Sequence, residues 1–377
     1  MLKNDIKFDC RYFDGSKPCQ IKELCNNCNF YNPMGKRILI IKLASVGDVL
    51  RTTAILPALK TKYPKSFITW LLRDPAQELL EGNSYIDRIF TFGLESVLLL
   101  QVEKFDMVIC LDKAFEAVSL ATLIGGDEKY GFGLSKEGKV YPFNKEAEYS
   151  FILGLDNDLK FYKNKKTYQE LIFDIANLIY KNEHYELRLA PKELGFAETF
   201  FKNNNLGKDD IIIGINTGAG EVFANKKLRP EKIVELIELL SKEIDAKILL
   251  LGGPLEKKIN KDIVRTVSYK VVNSGCDNSL LEFAALINNC SVIITADTLA
   301  LHIAIALRKP VLALFGPTSS QEIDLYHRGF KIVTDLECAP CYKNKCDKQI
   351  TCMDKINLAK IIKAIKDLTT SNIVTGV

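Results

Sequence analysis

The sequence predicts an α/β fold with two parallel β-sheets, each covered by helices on both faces. Short apolar runs typical of buried strands alternate with segments whose apolar residues recur at helical spacing. This alternation occurs twice, on either side of a polar stretch at 181–186. The length of 377 residues also exceeds that of one ordinary domain. Because alternating strands and helices form βαβ units, each series predicts its own doubly wound sheet.

The first series begins at 37–60, RILIIKLASVGDVLRTTAILPALK. Residues 37–43 predict a strand, 44–47 a tight turn, and the apolar spacing after Asp48 a helix. Ligands of open α/β sheets bind at the carboxyl ends of strands, so Asp48 is predicted to lie at the mouth of a cleft. The helix N-terminus favours its ionised form. Asp48 is therefore a candidate for accepting a proton from a substrate, and an acid that merely starts a helix is the alternative. Further strands are predicted at 67–72, 88–92 and 106–111.

A helix is predicted at 167–180, because Leu171, Ile175, Leu178 and Ile179 fall on one face. With the polar stretch that follows, this helix would bridge the two series. The second series predicts strands at 210–216, 247–251, 269–272, 291–295 and 310–315.

These patterns divide the chain into six parts. The last helix, at 357–368, is expected to cross back and pack on the first domain. The predicted parts are a cysteine-rich segment at 1–34, a Rossmann-like domain at 35–166, a linker helix at 167–190, a second Rossmann-like domain at 191–336, a cysteine cluster at 337–354 and a C-terminal helix with its tail at 355–377.

Polar and glycine-rich turns follow the strands of the second series. The loop 216–220, NTGAG, contains Gly218, and its glycines would let backbone N–H groups approach an anion. The neighbouring Lys226 and Lys227 are candidates for binding phosphate, with a solvated lysine pair as the alternative. Glu256 follows a Gly-Gly-Pro turn, where it could hold a ribose hydroxyl pair or simply cap its helix.

The stretch 293–318, IITADTLALHIAIALRKPVLALFGPT, predicts another anion site. A strand ends at Asp297 and Thr298, and the N–H groups of the helix that follows would attract negative charge. His302 lies one turn later on the same face as Thr298. A lone histidine on an apolar helix is usually a core residue, so its role depends on the resemblance described below. With three histidines in the chain, a histidine-rich catalytic zinc site is not predicted.

The eleven cysteines are concentrated in two groups of four. The first group has irregular spacing, and four thiols without a metal explain it equally well. The second group, CAPCYKNKCDKQITC, is compact enough for its sulfurs to meet one tetrahedral ion, and it predicts a structural metal site, with zinc as the first choice and iron as the alternative. The groups are Cys10, Cys19, Cys25 and Cys28, and Cys338, Cys341, Cys346 and Cys352.

Composition narrows the class of protein. The 51 basic and 47 acidic residues give a formal net charge of +4, which does not predict a nucleic-acid partner and suits an anionic small substrate. The absence of a secretory or membrane-spanning pattern predicts a cytoplasmic protein. Neither a dinucleotide-binding glycine fingerprint nor a Walker loop follows a strand, so a nicotinamide dehydrogenase and a P-loop NTPase are not supported.

Taken together, four motifs resemble those of the heptosyltransferase-like glycosyltransferases of family nine, which have the two-Rossmann-domain GT-B architecture. The motifs occur in the family's order and cover nearly all of 37–318: LASVGDVLRTTAILPAL, the glycine loop with Lys227 three residues before a proline, LGGPLE, and ADTLALH followed by FGPT. The resemblance implies that Asp48 is the general base of an N-terminal acceptor domain. It also implies that Gly218, Lys227, Glu256, Asp297, Thr298 and His302 belong to the nucleotide-sugar site of the C-terminal domain, across an interdomain cleft.

The implied chemistry is transfer of a heptose-like sugar from an ADP- or UDP-linked donor, with inversion and without a catalytic metal. A glycan, lipid-linked or protein acceptor is implied, and a lipid-linked one would bring the protein to a membrane surface. The chain departs from the family pattern at Leu299, where glycine is common, and at Leu228-Arg229, where tryptophan is common before the proline. Cysteine-bound iron is known in a relative that modifies autotransporter proteins, which keeps iron and a protein acceptor as alternatives.

Two other functions remain open from the sequence. A sugar-nucleotide epimerase could share this architecture, and it would change the donor without an acceptor. Alternatively, the cysteines could carry a metal or redox function beside a decayed sugar site.

Overall fold

The computed structural model of the protein describes residues 6–15, 19–21, 24–220 and 223–370. The first half of the chain forms a six-stranded sheet. Its strands are β1 (Arg37–Ile41), β2 (Phe67–Leu72), β3 (Arg88–Thr91), β4 (Phe105–Cys110), β5 (Gly126–Leu134) and β6 (Val140–Pro142). The order is β3-β2-β1-β4-β5-β6, and all neighbours pair in parallel except β5 and β6, which pair antiparallel.

The second half forms another six-stranded sheet. Its strands are β7 (Ile212–Asn216), β8 (Lys247–Leu251), β9 (Val271–Asn273), β10 (Val292–Ala296), β11 (Val311–Phe315) and β12 (Gly329–Val333). The order is β9-β8-β7-β10-β11-β12, with every pair parallel. Both sheets therefore reverse their winding beside their first strand, between β1 and β4 and between β7 and β10, and ligands bind at such switch points.

The buried strands have the apolar character that a sheet covered on both faces requires. β1 reads RILII and β8 reads KILLL, each with its last four residues buried. The covering helices are α1 (Val46–Thr52), α2 (Ile55–Lys62), α3 (Gln77–Leu80), α4 (Leu94–Val102), α5 (Phe115–Leu123), α6 (Glu148–Leu153), α7 (Tyr168–Ile175), α8 (Pro191–Asn203), α9 (Pro230–Glu243), α10 (Lys257–Thr266), α11 (Leu280–Asn288), α12 (Leu299–Ala306) and α13 (Leu358–Thr370).

Contacts between the two halves are specific. The Glu78 carboxylate accepts hydrogen bonds from the backbone N–H groups of Leu280 and Leu281, at 3.2 and 2.9 Å, so an acid on α3 caps the start of α11. The N–H of Tyr168 donates to the Glu322 carbonyl oxygen at 2.9 Å. The apolar core is continuous from the first sheet through α11 and α12 to the second.

Two expectations from the sequence are corrected. The helix predicted at 167–180 ends at Ile175, because Asn177 takes a left-handed conformation with φ of 51° that stops the helix. The C-terminal helix does not cross back to the first sheet. Instead α13 packs on α9 and on strands of the second sheet, since its buried residues, Ile361, Ile365 and Leu368 among them, fill the second core.

The described part of the N-terminal segment is attached to the first half. Cys10 pairs with Pro33 in an antiparallel bridge, and the Arg11 guanidinium lies 2.9 Å from the Asp87 carboxylate. None of the helices in the described ranges is both long enough and apolar enough to cross a bilayer. The six domain boundaries stay predictions.

Candidate active site

A cleft of about 670 Å³ lies where the two switch points face each other. This volume is within the range of small-molecule sites, roughly 300–1,000 Å³. Its lining includes α1 of the first half and, from the second half, the loops after β7, β8, β10 and β11. Six of the seven site residues predicted from the sequence line it, namely Asp48, Gly218, Glu256, Asp297, Thr298 and His302.

Asp48 stands in the first turn of α1. Its carboxylate accepts a hydrogen bond from the Ser45 N–H at 3.2 Å and lies 2.7 Å from the Arg51 guanidinium and 4.0 Å from the Lys42 ammonium. Burial alone would raise the pKa of Asp48, but the charges of Arg51 and Lys42 outweigh it and hold the pKa well below its usual range. Asp48 is therefore ionised at neutral pH.

Asp112 supports the loop that precedes Asp48. Its carboxylate accepts from the N–H groups of Leu43 and Ala44, at 3.1 and 3.4 Å, and lies 3.5 Å from the Lys42 ammonium. Asp112 follows β4, so both sides of the first switch point contribute to holding this turn. Lys113, its neighbour, turns away and donates to the Ser150 carbonyl oxygen.

Arg51 connects the acid to an aromatic side chain. The guanidinium carbon lies 3.5 Å from the centre of the Tyr168 ring, whose hydroxyl is hydrogen-bonded to the Thr52 hydroxyl at 2.7 Å. A guanidinium over an aromatic ring is attracted by its π face. This packing fixes Arg51 beside Asp48, and sequence reasoning missed it because the contact depends on α7, far along the chain.

The loop after β7 brings Gly218 against Glu256. A Cβ atom at Gly218 would come within 2.9 Å of the Glu256 carboxylate, so glycine is needed for this approach. Glu256 is buried and accepts from the Gly253 N–H at 3.2 Å. Asn216 ties the loop to the next one by donating to the Gly218 carbonyl oxygen and the Thr298 hydroxyl, at 2.9 and 3.2 Å.

The two lysines after this loop differ in position. The Lys226 ammonium lies 3.0 Å from the Asp297 carboxylate and lines the cleft. The Lys227 ammonium lies 3.5 Å from the Glu256 carboxylate, and Lys227 is not among the cleft-lining residues. Of the two lysines, Lys226 therefore lies closer to the cleft, and the assignment of Lys227 to the nucleotide-sugar site stays a prediction.

His302 forms the contact between the halves at the cleft. It is buried on α12, and its Cδ2 atom would lie 2.6 Å from a Cβ at Gly47, so α1 and α12 can approach only because residue 47 is glycine. The His302 Nε2 atom is 3.9 Å from the Asp297 carboxylate. Burial and the nearby Arg51 lower the pKa of His302 to about 4, so the imidazole is neutral at neutral pH.

The sequence model of glycosyltransferase family 9 (heptosyltransferase) matches residues 99–351, which is well over half of the chain. The chain belongs to glycosyltransferase family 9. It is 25% identical over 367 residues to lipopolysaccharide heptosyltransferase 1 of Campylobacter coli, with 88% of this chain and 98% of that protein covered.

Two solved structures confirm the GT-B fold of this family 9 glycosyltransferase. One is the ADP-heptose LPS heptosyltransferase II of Escherichia coli, with a TM-score of 0.63, 19% identity, and 88% of this chain and 98% of that one covered. The other is an iron-containing dodecameric glycosyltransferase of enterotoxigenic E. coli, with a TM-score of 0.54, 13% identity, and 89% and 76% covered.

The glycosyltransferase cleft contains polar groups that sequence reasoning did not assign. Besides Arg51, these include Asn216, Glu322 and Tyr342. Lys226, which the sequence indicated as a candidate for binding phosphate, also lines the cleft. Glu322 and Tyr342 could not have been found, since the strands and motifs give no signal for loops that return to the cleft from beyond β11.

In the described residues, the side chains of the two cysteine groups are not arranged around a metal position. No group of three or more His, Cys, Asp or Glu side chains within those ranges is arranged to hold a metal ion, so the predicted zinc or iron sites are not supported. In the second group Cys338 is exposed and near Lys348, whereas Cys352 is buried against Gly316. The first group differs, because all four of its cysteines line one small cavity.

Proposed function

We propose that this glycosyltransferase transfers a heptose from ADP-heptose to a hydroxyl group of a lipopolysaccharide-type acceptor. The observation that carries the proposal is that one cleft is lined by Asp48 of the first half and, opposite it, by the glycine loop, Lys226 and the N-terminus of α12 of the second half. The names of the Campylobacter coli and Escherichia coli relatives support heptose as the sugar and ADP as the nucleotide.

Asp48 acts as the general base. It accepts the proton of the acceptor hydroxyl while that oxygen attacks the anomeric carbon, the bond from this carbon to the diphosphate oxygen breaks, and the configuration inverts. A positioned base typically contributes about 10²–10⁴-fold. Because Arg51 and Lys42 make the carboxylate weakly basic, proton transfer is expected late, as the new bond forms.

The side of the cleft formed by the second half, which we call the second wall, stabilises the leaving ADP. The side formed by the first half is the first wall. Lys226 supplies a positive charge, and the N–H groups at Gly218 and at the start of α12, after Thr298, would donate to the diphosphate. Glu256 is suited to hold the ribose hydroxyls. We propose that these groups replace a catalytic metal. Leu299 keeps the helix N-terminus intact although its side chain differs from the common glycine.

A panel of ADP-, UDP- and GDP-sugars tests the proposal. We expect ADP-heptose to raise the melting temperature most, and to be consumed with release of ADP when a lipopolysaccharide core acceptor is added. Stabilisation by a UDP-sugar instead would contradict the nucleotide. Glycosylation of a protein but not of the core would contradict the acceptor class. A changed donor without any acceptor would identify an epimerase.

We also propose a structural metal at the N-terminal cysteine group. In support, Cys10, Cys19, Cys25 and Cys28 line one cavity, in which a bound ion would draw their side chains together. A segment this short lacks a core of its own, and metal binding commonly stabilises such segments. The iron-containing relative makes iron a candidate beside zinc.

Elemental analysis of purified protein tests this second proposal. We expect about one equivalent of zinc or iron that is lost in Cys25→Ser and retained in Cys290→Ser, which alters a buried cysteine of the second half. A parent protein without bound metal would contradict it. The thiols also suit a reducing compartment, so we propose a cytoplasmic location. Membrane association and the lack of a nucleic-acid partner stay predictions.

A further inference from the structure

The C-terminal cysteine segment, 338–352, brings Tyr342 to the substrate cleft. The backbone fixes its place, because the N–H groups of Cys341 and Tyr342 both donate to the Pro317 carbonyl oxygen, at 3.1 and 2.8 Å. Tyr342 has a φ of 52°, which is uncommon for a residue other than glycine. Such conformations persist where the surroundings impose them, and they are concentrated at ligand sites.

The ring of Tyr342 joins the two halves of the protein. It stacks on Phe161, with ring centres 5.3 Å apart and planes 9° apart, and the Lys160 ammonium lies 3.9 Å from its centre. Phe161 and Lys160 belong to a helical turn of the first half, Leu159–Lys163. Tyr342 comes from the second half and lines the cleft, so the stack joins the two halves at the edge of the cleft.

The Tyr342 hydroxyl group can still donate one hydrogen bond. Its oxygen accepts from the Ser319 N–H at 3.2 Å, and the described residues provide no acceptor for its own hydrogen. Burial raises the pKa of Tyr342, so the hydroxyl keeps this hydrogen at neutral pH. The buried Thr318 hydroxyl, which also lines the cleft, has no partner in the described residues either.

We propose that Tyr342 is a specificity residue for the transferred sugar, with its ring closing the reacting end of the donor site and its hydroxyl donating to a sugar hydroxyl. The proposal rests on the proposed function. The neighbours of Tyr342 identify the donor sugar as its ligand, since Thr318 and Ser319 belong to the half that holds the nucleotide. Tyr342 also lines the same cleft as Asp48, the proposed base, so its hydroxyl is assigned to the sugar and not to the nucleoside.

Titrations of ADP and ADP-heptose into Tyr342→Phe test the hydroxyl. The variant keeps the ring and its stack on Phe161. We expect its Kd for ADP to equal that of the parent, and its Kd for ADP-heptose to rise by about tenfold, as for the loss of one hydrogen bond. Tyr162→Phe is the matched control, because Tyr162 adjoins Phe161, is exposed and does not line the cleft.

Tyr342→Ala tests the ring. We expect a further rise in the KM for ADP-heptose with the KM for acceptor unchanged, and a larger fraction of donor hydrolysed by water. If Tyr342→Phe binds both ligands as the parent does, or loses both equally, the sugar contact is wrong. A rise confined to the acceptor KM would also overturn it. If the parent binds neither ADP nor ADP-heptose, the proposed function fails, and this inference with it.

Discussion

The two sheets of the protein share one strand order and carry opposite chemistry at their switch points. In the first half, the turn after β1 leads to an acid, Asp48, held by Arg51 and Lys42. In the second half, the turn after β7 leads to glycine, amide groups and Lys226. The shared topology determines that a ligand binds at the switch points. The loop residues there determine whether that side of the cleft accepts a proton or binds an anion.

The largest effect is expected from removing the proposed base, which distinguishes the role of the first wall from that of the second. Asp48→Asn keeps the size of the side chain, and we expect transfer to fall by about 10²–10⁴-fold. The second wall is untouched, so ADP-heptose should still raise the melting temperature of the variant as in the parent. Asp209→Asn, at an exposed acid, is the control. Parent-like transfer by Asp48→Asn would mean that another residue is the base.

The next largest effect is expected from removing a positive charge from the second wall. Lys226→Met should weaken ADP binding by roughly tenfold to a hundredfold, as expected for a hydrogen bond to a charged group. Lys227→Met should have a smaller effect, because the Lys227 ammonium is engaged with Glu256 and Lys227 itself does not line the cleft. Calorimetric titration of ADP into both variants measures the difference. A larger loss in Lys227→Met would reverse the assignment of the two lysines.

A third change disturbs the close contact between α1 and α12. Gly47→Ala would place a Cβ atom 2.6 Å from the His302 ring, and we expect a loss of about 1–3 kcal/mol in the free energy of unfolding. Chemical denaturation measures it. Gly195→Ala is the control, since a Cβ there meets nothing within 4 Å. Gly47→Ala with the stability of the parent would show that α1 and α12 are not in contact.

The smallest effect is a pH dependence at the same contact. Because His302 has a lower pKa in the folded protein, the unfolded chain binds more protons between about pH 6.5 and pH 4, and stability should fall as the pH drops through this window. His302→Gln removes the group, so the slope should become shallower there. Melting temperatures of both proteins between pH 4 and 7 test the sign, and equal slopes would contradict the buried neutral imidazole.

The sequence was sufficient for the parts that depend on local pattern. Apolar runs predicted β1 to β4 and β7 to β11, and turns at their carboxyl ends predicted the positions of Asp48, Gly218 and Asp297. They did not predict β5, β6 and β12, in which most residues are not fully buried. Contacts between segments that are distant in the sequence could not be predicted. Arg51 is defined by Tyr168, and Tyr342 by Phe161, about 180 residues away in sequence. The predicted position of α13 was also wrong. Its apolar face could pack on either sheet, and the sequence pattern does not distinguish between them.

The central claim is that the second wall binds the donor and the first wall takes the proton. The direct measurement is a side-by-side titration of ADP-heptose into the parent, Asp48→Asn and Lys226→Met, with transfer assayed in the same samples. We predict parent-like affinity without transfer for Asp48→Asn, and weakened affinity for Lys226→Met. Loss of donor binding in Asp48→Asn together with parent-like binding in Lys226→Met would contradict the claim.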